Sequence, residues 1–233
     1  SKIVSKVYVA GEKMPTENEL SEQYNVSKIT IRKALQNLSD EGYVKKVQGK
    51  GTFITYKKEK MYLNKPRGFK ETLSSKGHSS KNDIIQASFL NADGDISEKL
   101  SIPLNTKVVY LERLVWEDNE PMAIDKIYIE DEKFPGFITK LSKDLSFYTI
   151  LEKDYNIQPK RAVLEIDGII AQNQHADLLK CNIGDPLFSI NKISYDFEDK
   201  PIHYSSTIVR CDRATYVVHT DNSNMMNTKT KSK

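Results

Sequence analysis

The stretch that decides the fold runs from Pro15 to Tyr56: PTENELSEQYNVSKITIRKALQNLSDEGYVKKVQGKGTFITY. Its opening Thr16-Glu17-Asn18-Glu19 is a capping box, in which the Thr16 hydroxyl accepts from the Glu19 backbone N–H and the Glu19 carboxylate reaches back. Pro15 stands just outside, so the pattern predicts a short helix from Thr16 to about Tyr24. Asn25 suits the left-handed residue that ends such a helix. Ser27 can cap a second helix, which carries Ile29, Ala34, Leu35 and Leu38 toward a core at roughly helical spacing. Of Ile29 and Ile31, one is expected to face that core, and Gly42 stops the helix. Two β-like runs follow, Tyr43–Val47 and Thr52–Thr55, joined as a hairpin by Gln48-Gly49-Lys50-Gly51. Taken singly, each feature is ordinary. The ordered run of two capped helices and a glycine-rich hairpin within ~40 residues predicts a winged helix-turn-helix.

Charge supports that reading. The whole chain of 233 residues carries a net charge of only +3, which announces no particular partner. Between Lys28 and Lys50, however, six basic residues (Lys28, Arg32, Lys33, Lys45, Lys46, Lys50) face two acidic ones, Asp40 and Glu41. A local basic stripe on a nearly neutral chain is what a small nucleic-acid footprint looks like. In helix-turn-helix docking the start of the second helix meets bases and backbone, so Ser27, Lys28, Thr30 and Arg32 are the expected contacts there. Gln48, Gly49, Lys50 and Gly51 are the expected wing, with glycines permitting close backbone approach and Lys50 supplying charge. The plain alternatives are a simple hairpin turn and a solvated basic face.

The chain is long enough for two domains. Residues 1–56 read as the first, with Ser1–Ala10 as the end of a longer first helix. Residues 57–67 are polar and unpatterned and read as a linker; residues 68–219 alternate helices and strands; residues 220–233 have too little apolar content to fold. Helices are expected over Phe69–Lys76, Ile96–Ser101, Ser146–Asp154 and Gln172–Leu179. Strands are expected over Asp83–Asn91, Val108–Trp116, Met122–Glu130, Ala162–Ile170, Leu187–Phe197 and Ile202–Val209. Glu117–Pro121 and Glu198–Pro201 each join two long strands as hairpins, which makes an α+β domain with a mixed or antiparallel sheet. Cys181 and Cys211 read as isolated thiols of a reducing cytosol, and a cytoplasmic location is expected. No catalytic, metal-binding or cofactor-binding constellation stands out, and His78, His175, His203 and His219 are scattered.

The segments Gly11–Leu20, Val26–Leu35, Gly42–Val44 and Gln48–Ile54 resemble the GntR family of bacterial transcription factors. That pattern usually has an arginine between the two acidic residues of the first helix. This sequence has Asn18, so that contact does not carry over. The remainder is similar to the effector-binding UTRA domain of the HutC subfamily, on Ser75–His78, Leu111–Arg113, Glu120–Asp125, Ser146–Tyr148, Gly184–Leu187 and Arg210–Arg213. The resemblance implies a chorismate-lyase-like fold, a homodimer and a palindromic operator on double-stranded DNA. It also implies a repressor released by a small polar or anionic metabolite such as a sugar phosphate.

The same resemblance places Lys76, Gly77, His78, Arg113, Asp125, Ser146 and Tyr148 at the effector. Arg113 suits an anionic group, Asp125 accepts from hydroxyls or amines, and Ser146 opens a helix. A structural salt bridge from Arg113 to Glu112 or Asp125 is the alternative. Relatives have a second arginine where Val115 stands, and a glutamate and a tyrosine where His203 and Val209 stand, so a different or smaller effector is expected. His203 reads as a satisfied or surface histidine, and Arg210 and Asp212 as braces. The competing functions are an enzyme of lyase-like fold and a constitutive DNA-binding protein.

Overall fold

The computed structural model describes residues 11–55, 58–63, 80–117, 120–142 and 146–220. The chain divides into two compact units, Ser1–Glu59 and Lys60–Lys233.

In the first unit, helix α1 spans Glu17–Tyr24 and helix α2 spans Lys28–Asp40. The α1 capping box forms in full: the Glu19 N–H donates to Thr16 Oγ1 at 3.3 Å, and the Thr16 N–H donates to Glu19 Oε2 at 2.7 Å. Asn25 takes the left-handed conformation (φ 52°), and Ser27 caps α2 by accepting from the Thr30 N–H at 3.2 Å. Gly42 follows the end of α2 with φ +81°. Strands β1 (Val44–Val47) and β2 (Gly51–Ile54) pair antiparallel, Val47 opposite Gly51. The core is Met14, Leu20, Ile31, Val44 and Ile54, with Leu35 and Leu38 against it. This corrects part of the expected inward face. Ile29 is 77% exposed and Ala34 is exposed; Ile31, Leu35 and Leu38 point inward instead. The spacing i, i+4, i+7 keeps those three on one stripe, and Ile29 falls off it.

The second unit is built on a six-stranded sheet. Its strands are β4 (Ser80–Asn91), β5 (Lys107–Glu117), β6 (Glu120–Glu130), β7 (Arg161–Ile170), β8 (Pro186–Tyr195) and β9 (Pro201–Arg210). They lie in the order β4-β5-β6-β9-β8-β7, every neighbouring pair antiparallel. Helices α3 (Gly94–Leu100), α4 (Phe137–Lys140), α5 (Phe147–Tyr155) and α6 (Asn173–Leu179) supply the covering layers. Against one face pack Phe137 of α4 with Phe147, Ile150 and Leu151 of α5, on Val109, Leu111, Ile127 and Ile129. Against the other pack Ile96 and Leu100 of α3 on Val108 and Tyr204, and Leu179 of α6 on Leu114, Ile124 and Leu187. Strand β8 ends two residues earlier than expected, at Tyr195 rather than Phe197, while β9 runs one residue further at each end. Asp196 accepts from the Glu198 and Lys200 N–H groups at 3.0 and 2.9 Å, which closes the loop before Phe197 can extend the strand.

Three elements have no counterpart in the sequence reading. Helix α4 is one. The others are β3 (Glu59–Tyr62) and β10 (Ala214–Val217), which pair with each other. Residues 59–62, expected inside a linker of residues 57–67, therefore form a strand. Met61 is 3% exposed and its partner strand lies some 150 residues on, so no local pattern marks it. The helix expected over Phe69–Lys76 and the tail after Thr220 lie outside the described residues. Among the described residues, no helix is long and apolar enough to cross a membrane.

Candidate DNA interface and effector site

The start of α2 presents Ser27, Lys28, Ile29 and Thr30 to solvent. The Ser27 hydroxyl is engaged in capping and lies 2.9 Å from the Thr30 hydroxyl. Arg32 donates through Nε and Nη2 to Glu17 Oε2, at 3.2 and 2.8 Å, so it fastens α2 to α1. The hydrogen bond from Arg32 holds the Glu17 carboxyl below its usual range, and Glu17 in turn raises the guanidinium. A 13-residue α2 is about 20 Å long, and a major groove roughly 12 Å wide accepts it. Gln48, Gly49 and Lys50 form an exposed tip. Gly49 (φ +74°) and Gly51 (φ +118°) take conformations that side chains disfavour, which is the physical reason for glycine on both sides of Lys50. Two exposed elements thus carry all eight residues expected at DNA. Ile29, expected to turn toward the core, is exposed beside them.

In the second unit, one sheet face alternates between two apolar clusters with a polar strip between them. Val109 and Leu111 of β5 belong to the first cluster, and Val115 to the second; Arg113 lies between. Ile127 and Ile129 of β6 belong to the first, and Ala123 to the second; Asp125 lies between. Arg113 and Asp125 are register partners, and Asp125 is opposite Thr207 of β9. Arg113 Nε and Nη2 donate to Asp125 Oδ2 at 2.9 and 2.7 Å, and the Thr207 hydroxyl donates to Oδ1 at 2.8 Å. The two expected effector residues are therefore joined to each other, and of the two alternatives for an Arg113 salt bridge the partner is Asp125.

Tyr148 reaches the same strip from α5. Its hydroxyl lies 3.1 Å from Ser194 Oγ and 3.3 Å from His203 Nε2. His203 is 1% exposed and packs edge-on against Phe147 and Tyr148, with ring centroids 4.7 and 5.4 Å away. Burial pushes its pKa well below the ordinary histidine value, and the charges of Lys192 and Arg113 push the same way. The imidazole is neutral near pH 7, and its Nδ1 is buried with no hydrogen-bond partner among the described residues. His203 is thus buried within the strip, with only one ring nitrogen matched. Ser146 caps α5 by accepting from the Thr149 N–H at 3.1 Å, which engages its hydroxyl within the helix end. Lys76, Gly77 and His78 lie outside the described residues. Arg210 bonds Asp212 and the Leu179 carbonyl, as a brace would.

The sequence reading missed Thr207, Ser194 and Lys192. A signal existed for Thr207: His203, Ser205 and Thr207 are polar at every second position of β9, and all three are buried. Alternating polar residues on the buried side of a central strand depart from the pattern of a plain apolar core.

Comparison with known proteins agrees with both halves. Residues 1–54 match the family described as bacterial regulatory proteins, gntR family, and residues 75–215 match the UTRA domain. The chain is 38% identical to a probable fructoselysine utilization operon transcriptional repressor of Escherichia coli K12, covering 93% of this chain and 88% of that protein. It is 26% identical to the HTH-type transcriptional repressor NagR of Bacillus subtilis, over 89% of this chain and 85% of that one. The crystal structure of PhnF from Mycobacterium smegmatis superposes with a TM-score of 0.74 at 26% identity, covering 92% of this chain and 94% of that chain. The chain belongs to the gntR family of bacterial regulatory proteins, among the HutC-type members that join a helix-turn-helix to a UTRA domain.

Proposed function

We propose that this regulator is a cytoplasmic homodimeric repressor of a catabolic or transport operon. It holds a palindromic operator through α2 and the wing and lets go when a small polar metabolite fills the strip around Arg113. In this reading Lys28, Thr30 and Arg32 meet bases and phosphates, with Ser27 fixing the helix start. Gln48–Gly51 enter the adjoining minor groove. The exposed Ile29 adds an apolar contact suited to a thymine methyl. The DNA module runs to about Tyr56, and the effector module begins with β3 rather than at Gly68.

The observation that carries the effector reading is the buried polar strip itself. Burying a charged pair, an imidazole with an unmatched nitrogen and several hydroxyls between two apolar clusters is costly unless something binds them. The strip is read as a binding site and not a catalytic one. Its buried guanidinium and carboxylate hold each other, and its histidine is bonded to a tyrosine hydroxyl rather than to a nucleophile with an orienting partner. One relative's name makes fructoselysine a first probe, and the family resemblance makes a sugar phosphate the second.

The test is operator release. DNA selected from a random library by the purified protein is followed by fluorescence anisotropy while fructoselysine and glucosamine 6-phosphate are added. Release by either probe is expected in the wild type, and retained DNA binding without release in Arg113→Ala. Normal release in that variant removes Arg113 from the effector site. Failure to enrich any DNA removes the operator reading.

A further inference from the structure

Among the described residues, two polar side chains bordering the apolar cluster beyond the strip have no hydrogen-bond partner. Asn82 of β4 is 1% exposed, and neither its amide nitrogen nor its oxygen has a hydrogen bond. Tyr216 of β10 is half-buried, but its hydroxyl is sealed from water and also unbonded. Buried amides and hydroxyls are nearly always satisfied, so each of these requires an explanation.

Both border the same cluster. Asn82 is in register with Val115, and Ile84, two residues on, is in register with Arg113, which puts Asn82 on Arg113's face of the sheet. Val115 belongs to the cluster of Met61, Met122, Ala123, Ile190 and Val209, against which Tyr216 packs. Tyr216 also stands edge-on to Phe188, 5.2 Å between centroids, and Phe188 shares its face with Ile190. Burial, more than any charge, raises the Tyr216 hydroxyl's pKa, with Cys211 and then Asp125 adding to it, so the phenol stays protonated.

The chemistry of the pair is specific. Amide and phenol are neutral, and each can both donate and accept. The nearby buried charges cancel within Arg113–Asp125 and Arg213–Glu117. A phosphate at this end would meet the Asp125 carboxylate, with the Arg113 guanidinium already engaged. A hydroxyl, itself donor and acceptor, matches both groups.

We propose that Asn82 and Tyr216 form a neutral subsite that binds a hydroxyl-bearing sugar or polyol segment of the effector, its anionic part lying farther along the strip. This rests on the effector reading given above.

The test uses the full chain with Tyr216→Phe and Asn82→Leu. Calorimetric titration with fructoselysine and with glucosamine 6-phosphate is expected to show about five- to tenfold weaker binding in each variant, the worth of one hydrogen bond. The ligand-free melting temperature is expected to stay level or rise, because an unmatched polar atom is gone. If Asn82→Leu fails to fold, Tyr216→Phe decides alone. Equal binding of a sugar probe by wild type and Tyr216→Phe overturns the subsite and leaves the effector reading standing. A lower melting temperature for ligand-free Tyr216→Phe also overturns the subsite. A wild type that binds neither probe overturns both.

Discussion

Arg32 and Arg113 make nearly the same bond in the two units. Each donates through Nε and Nη2 to a single carboxylate oxygen, at 3.2 and 2.8 Å onto Glu17 and at 2.9 and 2.7 Å onto Asp125. What differs is water. The side chains of the first pair are 68% and 28% exposed, those of the second 6% and 6%. An exposed pair gains little, because solvent screens it, and its arginine can exchange the carboxylate for another anion such as a phosphate. A buried pair cannot exchange so freely. Removing one partner strands the other in the sheet, and Asp125 has a further donor in Thr207 on its second oxygen. In the proposed reading, the same chemistry gives a movable grip in one unit and a fixed floor for a site in the other.

The largest expected effect breaks the buried pair. Asp125→Ala leaves the Arg113 guanidinium uncompensated and is expected to cost about 3–5 kcal/mol in urea unfolding. The double variant Arg113→Met/Asp125→Leu replaces both charges by apolar groups and is expected to recover most of that loss. It should nonetheless fail to respond to effector. A loss below about 1 kcal/mol in the single variant, in the range of exposed pairs, would erase the contrast between the two arginines.

His203 sharpens the contrast through pH. Its folded pKa lies well below the ordinary histidine value, with Tyr148, Lys192 and Arg113 around it. An unfolded histidine takes a proton near pH 6.5 and the folded one does not. Its contribution to stability is therefore complete above about pH 6.5 and is lost as pH falls, at up to ~1.4 kcal/mol per pH unit. His203→Gln should flatten this slope in chemical denaturation between pH 7 and 5. Residues 1–59 contain no histidine, so a slope that survives in the variant cannot come from a histidine of the first unit.

The two units were not equally legible in the sequence, and the reason is range. Capping boxes, left-handed asparagines and glycine hairpins act over three or four residues, so α1, α2 and the wing could be read directly. The sheet strands followed from their alternation. What failed needed distant partners. Met61 is buried in a cluster with Val115, Met122 and Ala214, which lie far along the chain; Asn82 is in register with Val115 of that cluster, and Tyr216 packs on it from the other end of the unit. Arg113 and Asp125 could be named from the resemblance. That they bond each other follows from the β5–β6 register, in which a one-residue shift between Val115 and Trp116 brings Asp125 rather than Ile124 opposite Arg113. Ile29 failed for a local reason: a four-residue apolar spacing fits two stripes of a helix, and only the core contact of Ile31 selects one.

A smaller effect tests the legible unit's own scaffold. Thr16→Ala removes the acceptor for the Glu19 N–H and is expected to cost about 1 kcal/mol, read by thermal unfolding. No change would mean that tertiary packing of Leu20, 4% exposed, holds α1 without its cap.

The smallest effects lie at the exposed arginine and decide what it is for. Lys50→Ala is expected to reduce the salt slope of operator binding by about one unit, as loss of one phosphate contact does. Arg32→Ala should weaken binding with unfolding hardly changed. Glu17→Gln removes the carboxylate that holds Arg32 and should tighten binding, but a lost negative charge near DNA would do that anyway. The double variant separates the two causes. If Arg32 moves from Glu17 to DNA, then Glu17→Gln helps less once Arg32 is alanine, and the two changes couple. If they add, Glu17 acts by its charge alone. Arg32 is then a brace between α1 and α2, and the grip on DNA passes to Lys28, Thr30 and the wing.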